Sequence, residues 1–420
     1  MTSGHVYPPD LARYVEDHWP AESPLTVSRE ALNEALAVAF QASLTSEEGR
    51  PTRFRLLLTP ASQLPTAGVP NEGVLRLRFD HSRPLTADEL RRLSPSVPFE
   101  TALIGASTEA AKLRIWGIAH SGPAWLAPTW GGRSLVPKWT HDPIIHVTGP
   151  GHLAVRCAGK LVGAIERGVL VDALMDVFDS DWLPALFARE RDEVRAEHAA
   201  LQARTSSPTL ADPSLVGRVG QQLVRRAIQL IRGIGQGGMI LVTDPASGTT
   251  AHEMAGLRLK YRFEQDEPAH RYRTLLFSIL ERVAVATSKT SVGWLDFALD
   301  ASPAMEKLEQ AVFELSRLLA NLSAIDGAVV VDKRFGLVGF GAEVSAELPA
   351  PARVWRALDI EGTQREPSDM ESVGTRHRAA YRFVHDHPAG LAIVVSHDRG
   401  VSFVANRDGE VMFWEQSVSP

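Results

Sequence analysis

The sequence predicts a mixed α/β (α+β) chain in two parts. A β-rich α+β domain comes first, followed by a domain with a mixed central β-sheet flanked by helices. Three observations carry this reading. From Leu103 to Leu170 short apolar runs alternate with Gly and Pro turns. From Val219 onward amphipathic helical stretches alternate with short apolar strands. The last thirty or so residues read as three strands, Leu391–Ser396, Val401–Ala405 and Glu410–Trp414, separated by the hairpin signals Asp398–Gly400 and Asp408–Gly409. Runs of both element types within one segment favour a mixed sheet with an antiparallel edge.

Taken in order, Tyr7–Trp19 and Ser28–Gln41 have helical spacing. Ser28 is suited to cap the second helix, which sets Leu32, Leu36 and Phe40 on one face. Phe54–Leu58 and Val74–Phe79 read as strands, and alternation in the second assigns Leu75, Leu77 and Phe79 to a buried face. Thr86–Leu93 is a short helix in which Thr86 and Glu89 form a capping-box pattern. Trp116, Trp125, Trp130 and Trp139 fall in the β-rich stretch.

Asp181 to Arg204 is helical, with Ala188–Gln202 built from Arg, Glu and Ala, all good helix formers. Thr205–Pro213 carries Ser, Thr and two prolines and reads as a linker. The expected division is therefore residues 1–185, a helical linker at 186–215, and 216–420. In the last part, Val219–Ile234, Arg271–Thr287, Met305–Ser323 and Thr375–Val384 are helices. Met239–Thr243, Ala328–Val331 and Leu337–Phe340 are strands, the last two joined by a turn at Asp332–Gly336.

With 44% hydrophobic and 22% charged residues the composition is globular, and 420 residues exceed one ordinary core. A net charge of −6 supplies no global basic field, which disfavours nucleic acid as a partner. Cys157 is the single cysteine, so an intramolecular disulfide and a multi-cysteine zinc site are both excluded. No apolar run approaches a membrane span and Met1–Asp10 has no signal-type apolar region, so a cytoplasmic protein with no membrane partner is expected.

Two short segments carry the chemistry. In the first, Asp326-Gly327-Ala328 enters a fully apolar strand. Gly327 and Ala328 leave room for a ligand close to the backbone, and a carboxylate at such a lip suits a divalent metal or a hydroxyl proton. An ordinary Asp-Gly turn would look the same. In the second, Gly374-Thr375-Arg376-His377-Arg378 opens a helix, with Thr375 suited to cap it. Basic residues there oppose the helix dipole, and a bound polyphosphate would remove that conflict. A solvated basic turn paired to nearby carboxylates is the plainer alternative.

Together these segments resemble the diadenylate cyclase family, whose signatures are Asp-Gly-Ala entering a strand and Gly-Thr-Arg-His-Arg-Ala-Ala opening a helix. Ala227–Ile231, Gly238–Thr243 and Ile393–Ser396 resemble further stretches of that family, so the likeness covers about half the chain. It implies that two ATP are condensed into cyclic di-AMP with release of two pyrophosphates. With one copy of each segment per chain, it also implies a homodimer or higher homo-oligomer that sets two sites face to face. In the implied roles Asp326, Arg376, His377 and Arg378 are catalytic. Gly327, Ala328, Gly374, Thr375 and Ser396 bind nucleotide. Asp326 and Asp398 hold Mg²⁺ or Mn²⁺. The chain departs from the family in placing His397 and Asp398 after Ser396, where acidic residues are usual. It departs again in keeping only a weak echo of the adenine loop, at Glu347–Ala350.

The N-terminal half resembles the DACNV type of sensor domain found before such cyclases. The matching stretches are Tyr7–Tyr14, Gln41–Leu44 with Phe54–Arg55, and Ile115–Gly122. The resemblance implies a small-molecule ligand of unknown identity. Two other readings stay open on the sequence: a nucleotide-binding sensor that keeps the cyclase fold without turnover, and a scaffold for protein partners. Gly233–Gly238 fits the G-x-G-x-x-G spacing but follows a helix and precedes a strand, the reverse of the dinucleotide-binding order. His385-Asp386-His387, and the pair His141 and His146, lack further metal ligands, and His120–Gly122 lacks a nucleophile elbow.

Overall fold

The computed structural model describes residues 5–65, 74–121, 131–133, 141–166, 168–172, 175–204, 209–235, 237–244, 256–264, 266–287, 289–370, 373–396 and 400–416. The chain is of the mixed α/β class and divides into two units. One holds residues 1–129 and 134–174, the other 130–133 and 175–418.

In the first unit helices α1 (Pro8–Asp17), α2 (Arg29–Ser43) and α3 (Ala87–Leu93) pack with an eight-stranded sheet. Its strands are β1 (Phe54–Leu58), β2 (Leu75–Pro84), β3 (Ala102–Glu109), β4 (Lys112–His120), β5 (Ile144–Gly149), β6 (His152–Cys157), β7 (Lys160–Glu166) and β8 (Val169–Asp172). They run in the order β8-β7-β6-β5-β1-β3-β4-β2. Two hydroxyl caps act as the sequence predicts: Ser28 Oγ accepts from the Ala31 amide at 3.2 Å, and Thr86 Oγ1 from that of Glu89 at 3.3 Å.

The expected buried face of β2 is formed only at Phe79, which packs against the core of the first unit. Leu75 and Leu77 are 54% and 46% exposed, while Arg76 donates to the carbonyls of Ala61 and Leu64. The strand lies at the sheet edge with a register shift between Arg78 and Arg83, so alternation does not decide which side faces the core. Trp116 is buried, and its Nε1 donates to Thr59 O at 2.8 Å. Trp125, Trp130 and Trp139 lie outside the described residues.

The second unit starts with α4 (Trp182–Leu186) and α5 (Ala188–Gln202), so the stretch read as a linker contributes to this unit. Then follow α6 (Pro213–Ile234), α7 (Glu267–Ala286), α8 (Trp294–Leu299), α9 (Pro303–Leu322) and α10 (Thr375–Asp386). The strands are β9 (Gly238–Thr243), β10 (Leu257–Arg262), β11 (Ala328–Asp332), β12 (Leu337–Val344), β13 (Val354–Ala357), β14 (Arg365–Ser368), β15 (Leu391–Ser396), β16 (Gly400–Arg407) and β17 (Glu410–Gln416). Their order is β10-β12-β11-β9-β15-β16-β17-β13-β14. Strand β9 is parallel to β11 and antiparallel to β15, which makes the sheet mixed.

Strand periodicity divides the core. Ile240, Val242, Val329, Val331, Ile393 and Phe403 face α6, α7 and α9. Met239, Leu241, Ala328, Val330, Val394 and Val404 face α10, which buries Ala380, Tyr381, Phe383 and Val384 against them. Full burial of a large apolar side chain contributes about 1.5–3 kcal/mol, so Tyr381, Phe383 and Val384 on this face contribute strongly to docking α10.

Candidate functional site

The pairing registers bring the two signature segments to one end of the sheet. Strand β11 begins at Ala328, and its Val329 lies opposite Ile240 of the parallel strand β9. The start of β9 faces the end of β15, with Gly238 opposite Val395. Asp326 therefore leads into the sheet at the end where Ser396 leaves it. One strand separates β11 from β15, a gap of about 10 Å.

Asp326 is exposed at this lip. Gly327 follows at φ +113°, and a Cβ there would stand 2.7 Å from the Gly341 carbonyl carbon and 2.9 Å from the Ala342 amide nitrogen. Only glycine combines that backbone conformation with such close passage of β12. Ala328 is buried beneath the α10 face.

Beside the lip stands Lys260 of edge strand β10, whose Nζ lies 2.8 Å from Glu343 Oε1. The hydrogen bond to Glu343, then the charges of Glu343 and Asp326, hold the Lys260 ammonium above the ordinary lysine range. Lys260 has no place in the signature segments. The signal for it is alternation in Leu257-Arg258-Leu259-Lys260, which marks a charged edge strand.

The second segment opens α10. Gly374, not Thr375, is the N-cap, and no side chain caps the helix; Thr375 is the first helical residue. Gly374, Thr375 and Arg376 are exposed, so the open amide end and one guanidinium face solvent. His377 is buried, with Nε2 3.3 Å from Ser402 Oγ. Ser402 pairs with Val394 of β15, and Val394 with Met239 of β9. This contact therefore anchors the first turn of α10 at the same sheet end as Asp326. Arg378 is half-buried and donates from Nη1 to Val373 O at 2.7 Å, bracing the loop that enters the helix. Ser396 is half-buried at the end of β15. Asp398 and His397 lie outside the described residues.

A lone exposed carboxylate can hold Mg²⁺ or Mn²⁺ jointly with a substrate's own phosphates, and such ions usually retain several waters. Among the described residues no group of three or more His, Cys, Asp or Glu is gathered for a metal. His387 instead hydrogen-bonds Phe383 O at 3.2 Å and stacks on the Phe383 ring. His141 lies 2.6 Å from Ser23 Oγ, and His146 is buried edge-on to Phe99. Gly235, inside the G-x-G-x-x-G spacing, is a left-handed helix stop at φ 75°.

Fold and site thus define a mixed α/β protein whose second unit carries an acidic lip and a cationic helix start at one end of its sheet. Residues 22–120, within the first unit, match the family model described as "Probable sensor domain DACNV". This sensor family is associated with diadenylate cyclases. The match takes in Gln41–Leu44, Phe54–Arg55 and Ile115–His120 and leaves out Tyr7–Tyr14. No match to a curated protein was found. A solved structure described as a hypothetical membrane spanning protein from Bacillus cereus is similar at 16% identity. That likeness covers 56% of this chain and 97% of the other, with a TM-score of 0.23. No described helix here is long and apolar enough to cross a membrane.

Proposed function

We propose that residues 216–420 act as a diadenylate cyclase, condensing two ATP into cyclic di-AMP and two pyrophosphates, and that the first 185 residues regulate this step by sensing a small molecule. The observation that carries the reading is the shared sheet end of Asp326 and the first turn of α10. The association of DACNV-type sensors with cyclases supports it.

In this reading the triphosphate lies against the open amide end of α10. Thr375 and Arg376 hold phosphate oxygens, and Arg378 contributes charge while bracing its loop. Buried His377 positions the turn through Ser402. Gly327 and Ala328 let the nucleotide approach the backbone, and Ser396 closes the other side. Asp326 orients the 3′-hydroxyl and accepts its proton as the 3′-oxygen bonds to the α-phosphorus of the facing ATP and the bond to pyrophosphate breaks. Each chain has one such site, so two chains face each other and the step occurs twice. A divalent ion on Asp326, with Asp398 as its second carboxylate, would offset charge on the phosphates.

The test is incubation of the purified chain with α-labelled ATP and Mg²⁺ or Mn²⁺, followed by mass analysis. Cyclic di-AMP is the expected product, and Asp326→Asn is expected to lower its rate at least a hundredfold. An Asp326→Asn variant as active as the parent removes the assigned role. An ATP-dependent rise in melting temperature without product would identify a nucleotide sensor instead.

A further inference from the structure

The second unit contains a piece of chain that sequence order places within the first. Residues 1–129 and 134–174 form the first unit, yet 130–133 belong to the second. Of these, Gly131, Gly132 and Arg133 are described, and all three are buried. Gly131 lies against α6 at φ +84°, where a Cβ would stand 2.5 Å from the Gln222 carbonyl oxygen and 3.1 Å from Arg226 Cγ. No side chain enters that seat without moving the helix. Arg133 then reaches two further helices. Its amide and its Nε donate to the Glu309 carboxylate of α9, at 3.4 and 2.6 Å. Its Nη1 donates to the carbonyl of Phe297, at 3.2 Å, and to that of Asp300. These carbonyls lie at the C-terminal end of α8, where the helix has no amides left to satisfy them and its dipole favours a cation. The guanidinium also sits over the Phe297 ring, 5.9 Å from its centre.

The seat is built so that its occupant can leave. Two of these three residues are glycine, so the hold depends on one side chain rather than on apolar burial. Glu309 also accepts from Arg226 Nη2 at 2.7 Å, so two buried guanidiniums share one carboxylate. Burial pushes the Arg226 guanidinium below its ordinary range; the Glu309 charge and hydrogen bond oppose this, and the Arg133 charge adds to it. Withdrawal of Arg133 removes that repulsion and leaves Glu309 paired with Arg226, so no buried charge is stranded in the second unit. What is lost is the cap on α8 and the tie from α8 to α6 and α9.

We propose that Gly131–Arg133 is a releasable strap through which the first unit acts on the second. Seated, it joins α6, α8 and α9; withdrawn, it frees the C-terminal end of α8. The residues flanking it in sequence belong to the first unit, so loosening that unit's core shifts the strap toward release. The proposal rests on the regulatory reading of the first 185 residues and names its route, but it does not depend on turnover of ATP.

Hydrogen exchange on the full chain, read by mass spectrometry over residues 294–302, tests this. Arg133→Gln and Gly131→Ala each unseat the strap and are expected to speed exchange there about tenfold, with α10 unchanged. A purely structural role would give the same result, so the first unit is perturbed as well. Leu36→Ala removes a fully buried side chain of α2. It is expected to speed exchange over 294–302 about threefold in the parent chain and not at all in the Arg133→Gln background. Val147→Ala, a smaller deletion in the same core, takes its place if Leu36→Ala abolishes protection of β1 and β5. Unchanged exchange over 294–302 in Arg133→Gln overturns the seat. An effect of the first-unit variant that is absent in the parent chain, or equal in the two backgrounds, overturns the route. Exchange is read whether or not the chain forms cyclic di-AMP, so loss of the cyclase reading and loss of the strap are separate results.

Discussion

His377 sets its Nε2 3.3 Å from the hydroxyl oxygen of Ser402, tying the start of α10 to strand β16. Both side chains are buried, so neither can exchange this contact for water. His377→Ala leaves Ser402 without that partner and opens a void. It is expected to cost about 2–4 kcal/mol in urea unfolding. Ser402→Ala should cost about 1 kcal/mol. In a double-mutant cycle the two losses should fall short of additivity, and additive losses would show that the contact contributes nothing.

Gly327→Ala asks for two things at once: a φ of +113° in a residue with a Cβ, and a Cβ 2.7 Å from the β12 backbone. A loss of about 2–4 kcal/mol is expected from thermal unfolding. A loss below about 1 kcal/mol would mean that β12 yields at this point and that the glycine is not dictated by packing.

Arg376 and Arg378 should separate. Arg376 is exposed, so Arg376→Ala is expected to leave the melting temperature unchanged while weakening ATP binding about tenfold. Arg378 also hydrogen-bonds Val373 O, so Arg378→Ala should lower both stability and ATP affinity. Equal behaviour of the two variants in thermal shift and nucleotide titration contradicts this division.

Lys260 places a positive charge beside Asp326 and Glu343. Removing it makes the lip more negative. Lys260→Gln is therefore expected to lower the Mn²⁺ concentration for half-maximal product formation about two- to tenfold, more so at low salt. An unchanged or higher requirement would place the metal elsewhere.

Asp212 caps α6 by accepting from the Ser214 amide at 2.7 Å. Hydrogen bonds from Ser214, side chain then backbone, hold its carboxyl below the ordinary 3.8. The unfolded chain binds this proton more tightly than the folded one. The stabilisation is thus fully present well above pH 3.8 and lost as pH falls through the lower folded value. Asp212→Ala should cost about 1 kcal/mol at pH 7. The gap between parent and variant should shrink in acid, as followed by urea unfolding at pH 7 and pH 3.

Much of the architecture could be read from local patterns. Apolar runs bounded by turn residues located β1, β9, β11 and β15 to β17 nearly to the residue, because each is dictated by its own neighbours. Ser28 and Thr86 are local caps of the same kind. Strands β10, β13 and β14 were missed because they lie toward the sheet edges, where burial is partial and the apolar signal is weak. Along β2 alternation holds at Phe79 but not at Leu75 and Leu77, because alternation shows that two faces exist and only packing decides where one is covered.

At the candidate site, residue types and their order along the chain came from the sequence alone. These include the glycine before Ala328 and the cationic turn at 376–378. Tertiary structure decided the rest. Strand order set β11, β9 and β15 side by side, which joins the ends of segments far apart in sequence, and it brought Lys260 to Asp326 from an edge strand. It also buried His377 while leaving Arg376 exposed, one residue away. Chain-local patterns carry information about nearest neighbours and periodicity, whereas a site assembled from several strands depends on pairing partners that no single segment specifies.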